Sequence, residues 1–394
     1  MKILQINTVV NSGSTGRIAE EIGLEVMTQG HKSYIAYGRR DRPSKSNLIK
    51  IGAKKDVYLH GIKTLLTDQH GLGSYNATKS LIKEIKNIKP NIIHLHNIHG
   101  YYINYKILFQ CIKGNNIPIV WTLHDCWTFT GHCAHFEHIS CLKWMSHCEK
   151  CPLYNKYPRS FVDRSYNNFD DKKEAFQNVQ NLTIVAPSKW LKNLVEQSYL
   201  KDYPVNVINN GVDLKIFCPP KLKTNSRIIL GVASTWSNSK GLNDFIKLRE
   251  IFDDDIKIVL IGLSKSQIKS LPKNILGISR TENIKELTEW YQKATVFVNP
   301  TYLDNFPTTN LEALACGTPV VTYDTGGSPE SINSSIGETV EQGNNDLLKK
   351  AIERFLNDED LKNLMIACRN HALKYFNKEE RYKEYLEIYN SIKT

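Results

Sequence analysis

Short apolar runs alternate with stretches in which apolar residues return every three or four positions, and this alternation runs through the whole chain. Lys2–Val10 predicts a strand. Thr15–Gln29 predicts a helix, with Ile18, Ile22 and Val26 spaced along one face. Further strands are expected at Ser33–Tyr37, Ile92–His96, Ile119–His124, Leu182–Ala186 and Val205–Asn209. Helices are expected at Ala77–Lys89, which must stop at Pro90, and at Tyr105–Lys113 and Ser188–Gln197. Residues 126–165 show no regular period. Cys218-Pro219-Pro220 reads as a linker. The pattern then restarts, with strands at Ile228–Ala233, Ile256–Ile261, Val296–Asn299 and Val320–Tyr323. Leu242–Phe252, Ile284–Ala294 and Leu311–Cys316 supply the helices between them, and from Asn345 the chain reads as helical.

Repeated strand–helix units imply parallel sheets covered by helices on both faces. Two such sets predict an α/β protein of two doubly wound, Rossmann-like domains facing a cleft. A length of 394 residues agrees, because single cores usually split beyond roughly 250–300 residues. The expected division is residues 1–218, with an insert at 126–160, then 219–377, then a last helix at 378–394 that crosses back to the first domain. Ligands in such folds bind beyond the carboxyl ends of the strands. Chemistry is therefore to be sought just after each strand.

Composition narrows the picture. Apolar residues make up 41% and charged residues 23%, a mix that builds cores and argues against disorder. The longest apolar runs, such as Ile258–Leu263, are far short of the roughly 20 residues of a membrane span. The first residues are broken by Lys2, Gln5 and Asn7, so they read as a strand and not as an export signal. A cytoplasmic protein with reduced thiols is expected. Net charge is +11, and its distribution matters more than its size: residues 1–218 carry 28 basic and 17 acidic side chains, residues 219–394 carry 23 of each. A basic half suits an anionic partner, whether membrane headgroups, a phosphorylated substrate or nucleic acid. A basic surface without a partner explains it equally.

Five constellations carry candidate chemistry. Asn11-Ser12-Gly13-Ser14-Thr15-Gly16-Arg17 follows the first strand and opens a helix, where small residues let amides approach an anion. An ordinary strand-to-helix turn reads the same way. Thr122-Leu123-His124-Asp125 ends a strand with a pair able to orient a hydroxyl or move a proton; a capped strand end is the plain alternative. Ser234 to Gly241 follows the first strand of the second half and places Lys240 where a helix begins, which suits a phosphate clamp. In Asp304-Asn305-Phe306-Pro307-Thr308-Thr309-Asn310-Leu311-Glu312 two carboxylates stand eight residues apart across a loop that opens a helix. The first can reach sugar hydroxyls, the second a ribose diol, and the amides between them an anion. Finally, Cys133, Cys141, Cys148 and Cys151 follow Cys126 closely and end in a CxxC pair. Such spacing suits one structural tetrahedral Zn²⁺ without an open position; free or redox thiols and disulfides stay open.

The carboxylate loop resembles the E-x7-E signature of glycosyltransferase family 4, retaining enzymes of the GT-B fold. The resemblance takes in the GSTGR turn, TLHD, Asn209-Asn210-Gly211-Val212-Asp213, Lys240-Gly241 and Thr325-Gly326-Gly327-Ser328-Pro329-Glu330. HLHNIHGYYIN, TLHDCWTFTGHC and the cysteine cluster are similar to transferases of capsular and exopolysaccharide assembly, of the colanic-acid type. The resemblance implies a nucleotide-diphosphate sugar donor, UDP or GDP, and a glycan or lipid-linked glycan acceptor. Gly13, Ser14 and Ser234 would lie along the donor site. Lys240 would bind the diphosphate, Glu312 the ribose, Asp304 the donor sugar, and the amides of Thr309, Asn310 and Leu311 the phosphates. His124 would meet the sugar near the reacting carbon. No cofactor is expected for catalysis, no nucleic acid as partner, and peripheral contact with the inner membrane face is expected. The sequence departs from the pattern at Asp304, where the family has glutamate, at Ser234, where an arginine is usual, and at Ser14, where a second glycine is common. Arg17 and Lys189 are candidates for the missing cation. An epimerase or phosphorylase of the same fold is the near alternative, and a zinc-knuckle nucleic-acid binder the distant one.

Overall fold

Apolar runs become strands where both faces of a sheet are to be covered. The computed structural model describes residues 1–223 and 226–392. In its first compact unit, Met1–Ile208 plus the chain from Tyr382 onward, seven strands form one parallel sheet. They are β1 (Lys2–Asn7), β2 (Lys32–Tyr37), β3 (Asn47–Lys50), β4 (Ile92–Leu95), β5 (Ile119–Thr122), β6 (Leu182–Ala186) and β7 (Val205–Val207), in the order β3-β2-β1-β4-β5-β6-β7. Successive side chains take opposite faces. Leu4, Ile6, Ile93, Leu95 and Trp121 meet Leu108, Phe109 and Ile112 of the helix Tyr105–Lys113. Ile3, Ile92, Val120 and Val185 meet Ile18, Ile22 and Val26 of the helix Gly13–Thr28, with Tyr382, Tyr385, Leu386 and Tyr389 closing the same cluster.

The second unit is Asn209–Arg381. Its parallel sheet contains β8 (Ile228–Val232), β9 (Lys257–Ile261), β10 (Ile275–Ile278), β11 (Val296–Asn299), β12 (Val320–Tyr323) and β13 (Gly337–Val340), in the order β10-β9-β8-β11-β12-β13. Cys218-Pro219-Pro220 lies inside this unit. Phe217 is buried in its core, and the Phe217 carbonyl accepts from Arg369 at 2.8 Å. The helix Lys378–Ile392 starts in the second unit and ends in the first. In each sheet the strand order reverses once, between β1 and β4 and between β8 and β11. Those are the switch points where ligand crevices form.

Several elements escaped the sequence reading. The helix Lys54–Thr67 buries only His60 and Thr64 and turns Tyr58, Leu59, Ile62 and Leu66 outward, so its apolar residues do not mark a core-facing side. The helix Ser165–Phe176 spends inward positions on Ser165, Asn168 and Lys172. Strands β3, β10 and β13 are short, lie near or at sheet edges and carry polar residues or glycine.

Candidate active site

In the second unit, Lys240 ends a short 3₁₀ turn, Asn238–Lys240, after β8. Its ammonium donates to the Leu303 carbonyl at 2.8 Å and pairs with Asp304 Oδ2 at 2.7 Å. The other carboxylate oxygen of Asp304 accepts the Asn305 amide at 3.0 Å. The phosphate clamp and the sugar-binding carboxylate of the sequence reading are thus partners of each other. Gly326 lets the loop after β12 close on this point: it stands at φ +54°, and a Cβ there would strike the Asp304 carbonyl. Ser234 is exposed in the loop after β8.

The helix Thr308–Ala315 follows β11, and no side chain caps its start. Asn310 anchors that start. Its carbonyl oxygen accepts from Asn299 at 2.9 Å, and its amide donates to Ser328 and Ser331 at 3.1 and 3.0 Å. The Asn310 backbone N–H turns back on the Pro307 carbonyl. Of the amides of Thr309, Asn310 and Leu311 expected to line the phosphates, that one is therefore committed to the turn, while Thr309 stands in the first turn of the helix, where N–H groups have no intrahelical acceptor. Leu311 buries its side chain in the core. Glu312, one turn in, is buried and accepts from the Tyr291 hydroxyl at 2.8 Å.

In the first unit, Gly13 opens the helix Gly13–Thr28 at φ +64°, after the extended Ser12, and Ser14 is exposed beside it. Arg17 points its Nε back to the Gly13 carbonyl at 3.3 Å, and Lys189 opens the helix Lys189–Gln197. Both lie in the first unit, whereas Lys240 lies in the second. His124 and Asp125 do not act as a pair. His124 Nε2 meets His96 Nδ1 at 3.1 Å. Asp125 accepts from His99 at 2.9 Å and from the Trp127 amide at 2.9 Å. Burial pushes His124 down to about 4. Burial alone would raise Asp125, but His99 and the Trp127 amide hold it below the ordinary carboxylate range. His124 is therefore a neutral imidazole, and Asp125 an orienting carboxylate with both oxygens engaged.

The structure gives the zinc expectation no support. Cys133, Cys141, Cys148 and Cys151 do line one cavity, with Phe136 and Trp144. Among the described residues, however, no group of three or more His, Cys, Asp or Glu side chains is placed to hold a metal ion. Cys133 and Cys151 are hydrogen-bonded to each other, which raises the first thiol and lowers the second. The insert owes its order to aromatic packing instead. Trp127, Phe129 and Trp144 are almost fully buried, and the Lys172 ammonium sits 3.7 Å from the centre of a Trp127 ring.

Profiles of known families match both units: Glycosyl transferases group 1 over residues 215–371, and Glycosyltransferase Family 4 over residues 15–216. The chain belongs to glycosyltransferase family 4. This glycosyltransferase is 25% identical to a protein of Escherichia coli (strain K12) named as the colanic acid biosynthesis glycosyl transferase WcaC, over 87% of this chain and 88% of that one. Its fold is shared with sucrose-phosphate synthase from Thermosynechococcus elongatus, at a TM-score of 0.72, 16% identity, and 99% and 98% coverage of the two chains. The fold is likewise shared with Anabaena Alr3699/HepE, solved in complex with UDP and glucose, at a TM-score of 0.70, 13% identity, and 99% and 100% coverage. The architecture is the GT-B pairing of two Rossmann-like, parallel-sheet domains.

Around its candidate residues the transferase places four that the sequence reading did not single out: Gln5, His96, His99 and Tyr291. Two of them had a visible signal. His94, His96 and His99 leave β4 in close succession, and three imidazoles at the carboxyl end of a strand mark a site even without a motif.

Proposed function

We propose that this enzyme moves a sugar from a UDP or GDP sugar to a hydroxyl of a glycan or lipid-linked glycan, with retention at the anomeric carbon, in making a capsular or exopolysaccharide. The observation that carries the reading is the Lys240–Asp304 ion pair beside the helix that presents Glu312. A diphosphate entering there would take the Lys240 ammonium and release Asp304 to accept sugar hydroxyls. The uncapped end of Thr308–Ala315 would add amides and the positive end of a helix. Glu312, oriented by Tyr291, would accept from the ribose diol. Leaving-group charge would be stabilised by these fixed groups. The names of relatives point the same way: WcaC to colanic acid, HepE to UDP and glucose.

A surface supports the lipid-linked acceptor. The helix Lys54–Thr67 leaves Tyr58, Leu59, Ile62 and Leu66 exposed, with Lys54, Lys55 and Lys63 exposed among them. Apolar anchors ringed by lysines suit an anionic bilayer surface. The direct test is incubation with a panel of UDP and GDP sugars and undecaprenyl-diphosphate-linked glycans. Release of nucleotide diphosphate with an α-linked product from an α-linked donor is expected. Epimerised sugar without transfer, or no turnover of any donor in the panel, would overturn the proposal.

A further inference from the structure

We infer that Gln5 and His96 are positioning residues that hold His124 as its Nε2–H tautomer, so that Nδ1 meets the substrate as a lone pair and accepts from a hydroxyl. The assignment of His124 to the substrate rests on the function proposed above; the tautomer rests on the hydrogen bonds and on the burial that keeps both rings neutral.

The Gln5 side-chain amide has no choice of orientation. The Gln5 amide nitrogen donates to the Ala19 carbonyl at 2.8 Å, and a carbonyl only accepts. That fixes which way the Gln5 amide faces, and its oxygen is turned to His96 Nε2 at 2.9 Å. An amide oxygen also only accepts, so His96 Nε2 carries the proton. His96 is 1% exposed, and its ring neighbours are Gln5, His94 and His124, none of them a carboxylate. Nothing there compensates an imidazolium, and the neutral ring leaves Nδ1 unprotonated. Burial also drives its pKa well below the ordinary value. His124 Nε2, at 3.1 Å, must then be the donor. A neutral His124 has one proton, and it is spent on His96. What remains for the substrate is the Nδ1 lone pair.

The support is rigid. The planes of the two rings lie within 17° of each other, as a hydrogen bond between their edges requires. Behind His96, the His94 ring lies at 4.1 Å between centroids and is pinned by the Tyr389 hydroxyl at 2.6 Å and by Thr122 at 2.8 Å. The Trp121 indole donates to the His96 carbonyl at 3.1 Å. Gln5 reaches this place through register: in β1 it stands opposite His94 of β4. The chemical consequence is selective. An acceptor nitrogen takes a hydroxyl or an N–H from the substrate and offers nothing to a phosphate oxygen.

The test reads the tautomer directly. In enzyme labelled with ¹⁵N at histidine, long-range proton–nitrogen correlation at pH 7 should show His124 and His96 as neutral Nε2–H rings. His96→Phe keeps a ring but removes the acceptor, so the His124 pattern should move toward mixed tautomers. His96→Asn, whose Oδ1 can stand near the former Nδ1, should restore it. Gln5→Met, which frees His96 to exchange tautomers, should shift both rings. Turnover should fall about tenfold in His96→Phe and Gln5→Met, recover in His96→Asn, and leave UDP and GDP affinity unchanged, since those are held by the second unit. An Nδ1–H or doubly protonated His124 in the wild type, or unaltered His124 signals in both His96→Phe and Gln5→Met, would overturn the inference. Failure of both nucleotides to bind, with the expected spectrum, would sink the donor reading and leave the tautomer standing.

Discussion

The two units share one winding rule but hold their candidate groups in opposite electrical states. In the second, Lys240 and Asp304 are charged, paired and about a third and a quarter exposed. In the first, His94, His96 and His124 are neutral and shielded. Eleven of the twelve histidines lie in the first unit and only His371 in the second. A partly exposed ion pair is worth about 0–1 kcal/mol, so exchanging it for the proposed diphosphate would cost little and would deliver a charge already in place. A lone pair needs the reverse: an imidazole kept from protonation by burial. The second unit keeps charge available; around His96 and His124 the first keeps it out.

Acid should separate the two units most strongly. Burial lowers His60 and His124 to about 4 and His94 to about 3, from an ordinary 6.5. Each takes up a proton on unfolding when pH lies below 6.5. Its contribution to stability is therefore whole above pH 6.5 and is lost as pH falls toward 4. The slope is about 1.4 kcal/mol per pH unit for each such histidine. Calorimetry from pH 7 to pH 4.5 should show one unit losing several kcal/mol while the other holds. Two transitions moving together with pH would break the comparison.

Next in size is the charged pair. Lys240→Met should lower kcat/KM roughly 10³-fold, as removal of a charge-stabilising donor does, and Asp304→Asn in the same chain should add less than its separate effect, because the two are partners. Independent, multiplicative losses in initial-rate measurements would mean that the pair is not exchanged. Glu312→Ala should cost roughly 10²-fold, through loss of charged hydrogen bonds of about 1.5–3 kcal/mol each. Tyr291→Phe should raise donor KM several-fold with kcat little changed, since it orients Glu312 through one hydroxyl. A Tyr291→Phe enzyme with wild-type KM would remove tyrosine from the donor site.

How far the sequence could carry this follows from what each feature depends on. The strands were legible because burial on both faces makes continuous apolar runs, and the site loops were legible because they follow strands. Lys54–Thr67 was not, because its apolar residues face outward. The Gln5–His96–His124 chain was not, because its members come from β1 and from the segments after β4 and β5, and only strand register brings them together. The pairing of Lys240 with Asp304 joins residues 64 positions apart in the chain for the same reason. Cysteine spacing did foretell one shared cavity, but spacing carries no information about how Trp127, Phe129 and Trp144 would order the segment by packing.

The smallest effect concerns charge at the surface. The units differ there too, since all the excess positive charge lies in residues 1–218. If the helix Lys54–Thr67 docks on anionic membrane, Lys63→Gln should weaken binding to phosphatidylglycerol-containing vesicles about fivefold, because a lysine near such a surface is worth about 1 kcal/mol. Added salt should shrink the difference as the Debye length falls below about 8 Å. Leu59→Ser should weaken binding with little dependence on salt, because it removes apolar contact and not charge. Co-sedimentation at two salt concentrations separates the two terms. Equal binding of Lys63→Gln and wild type to neutral and anionic vesicles would take the electrostatic role from this helix, and the basic excess of the first unit would then need an acceptor phosphate to explain it.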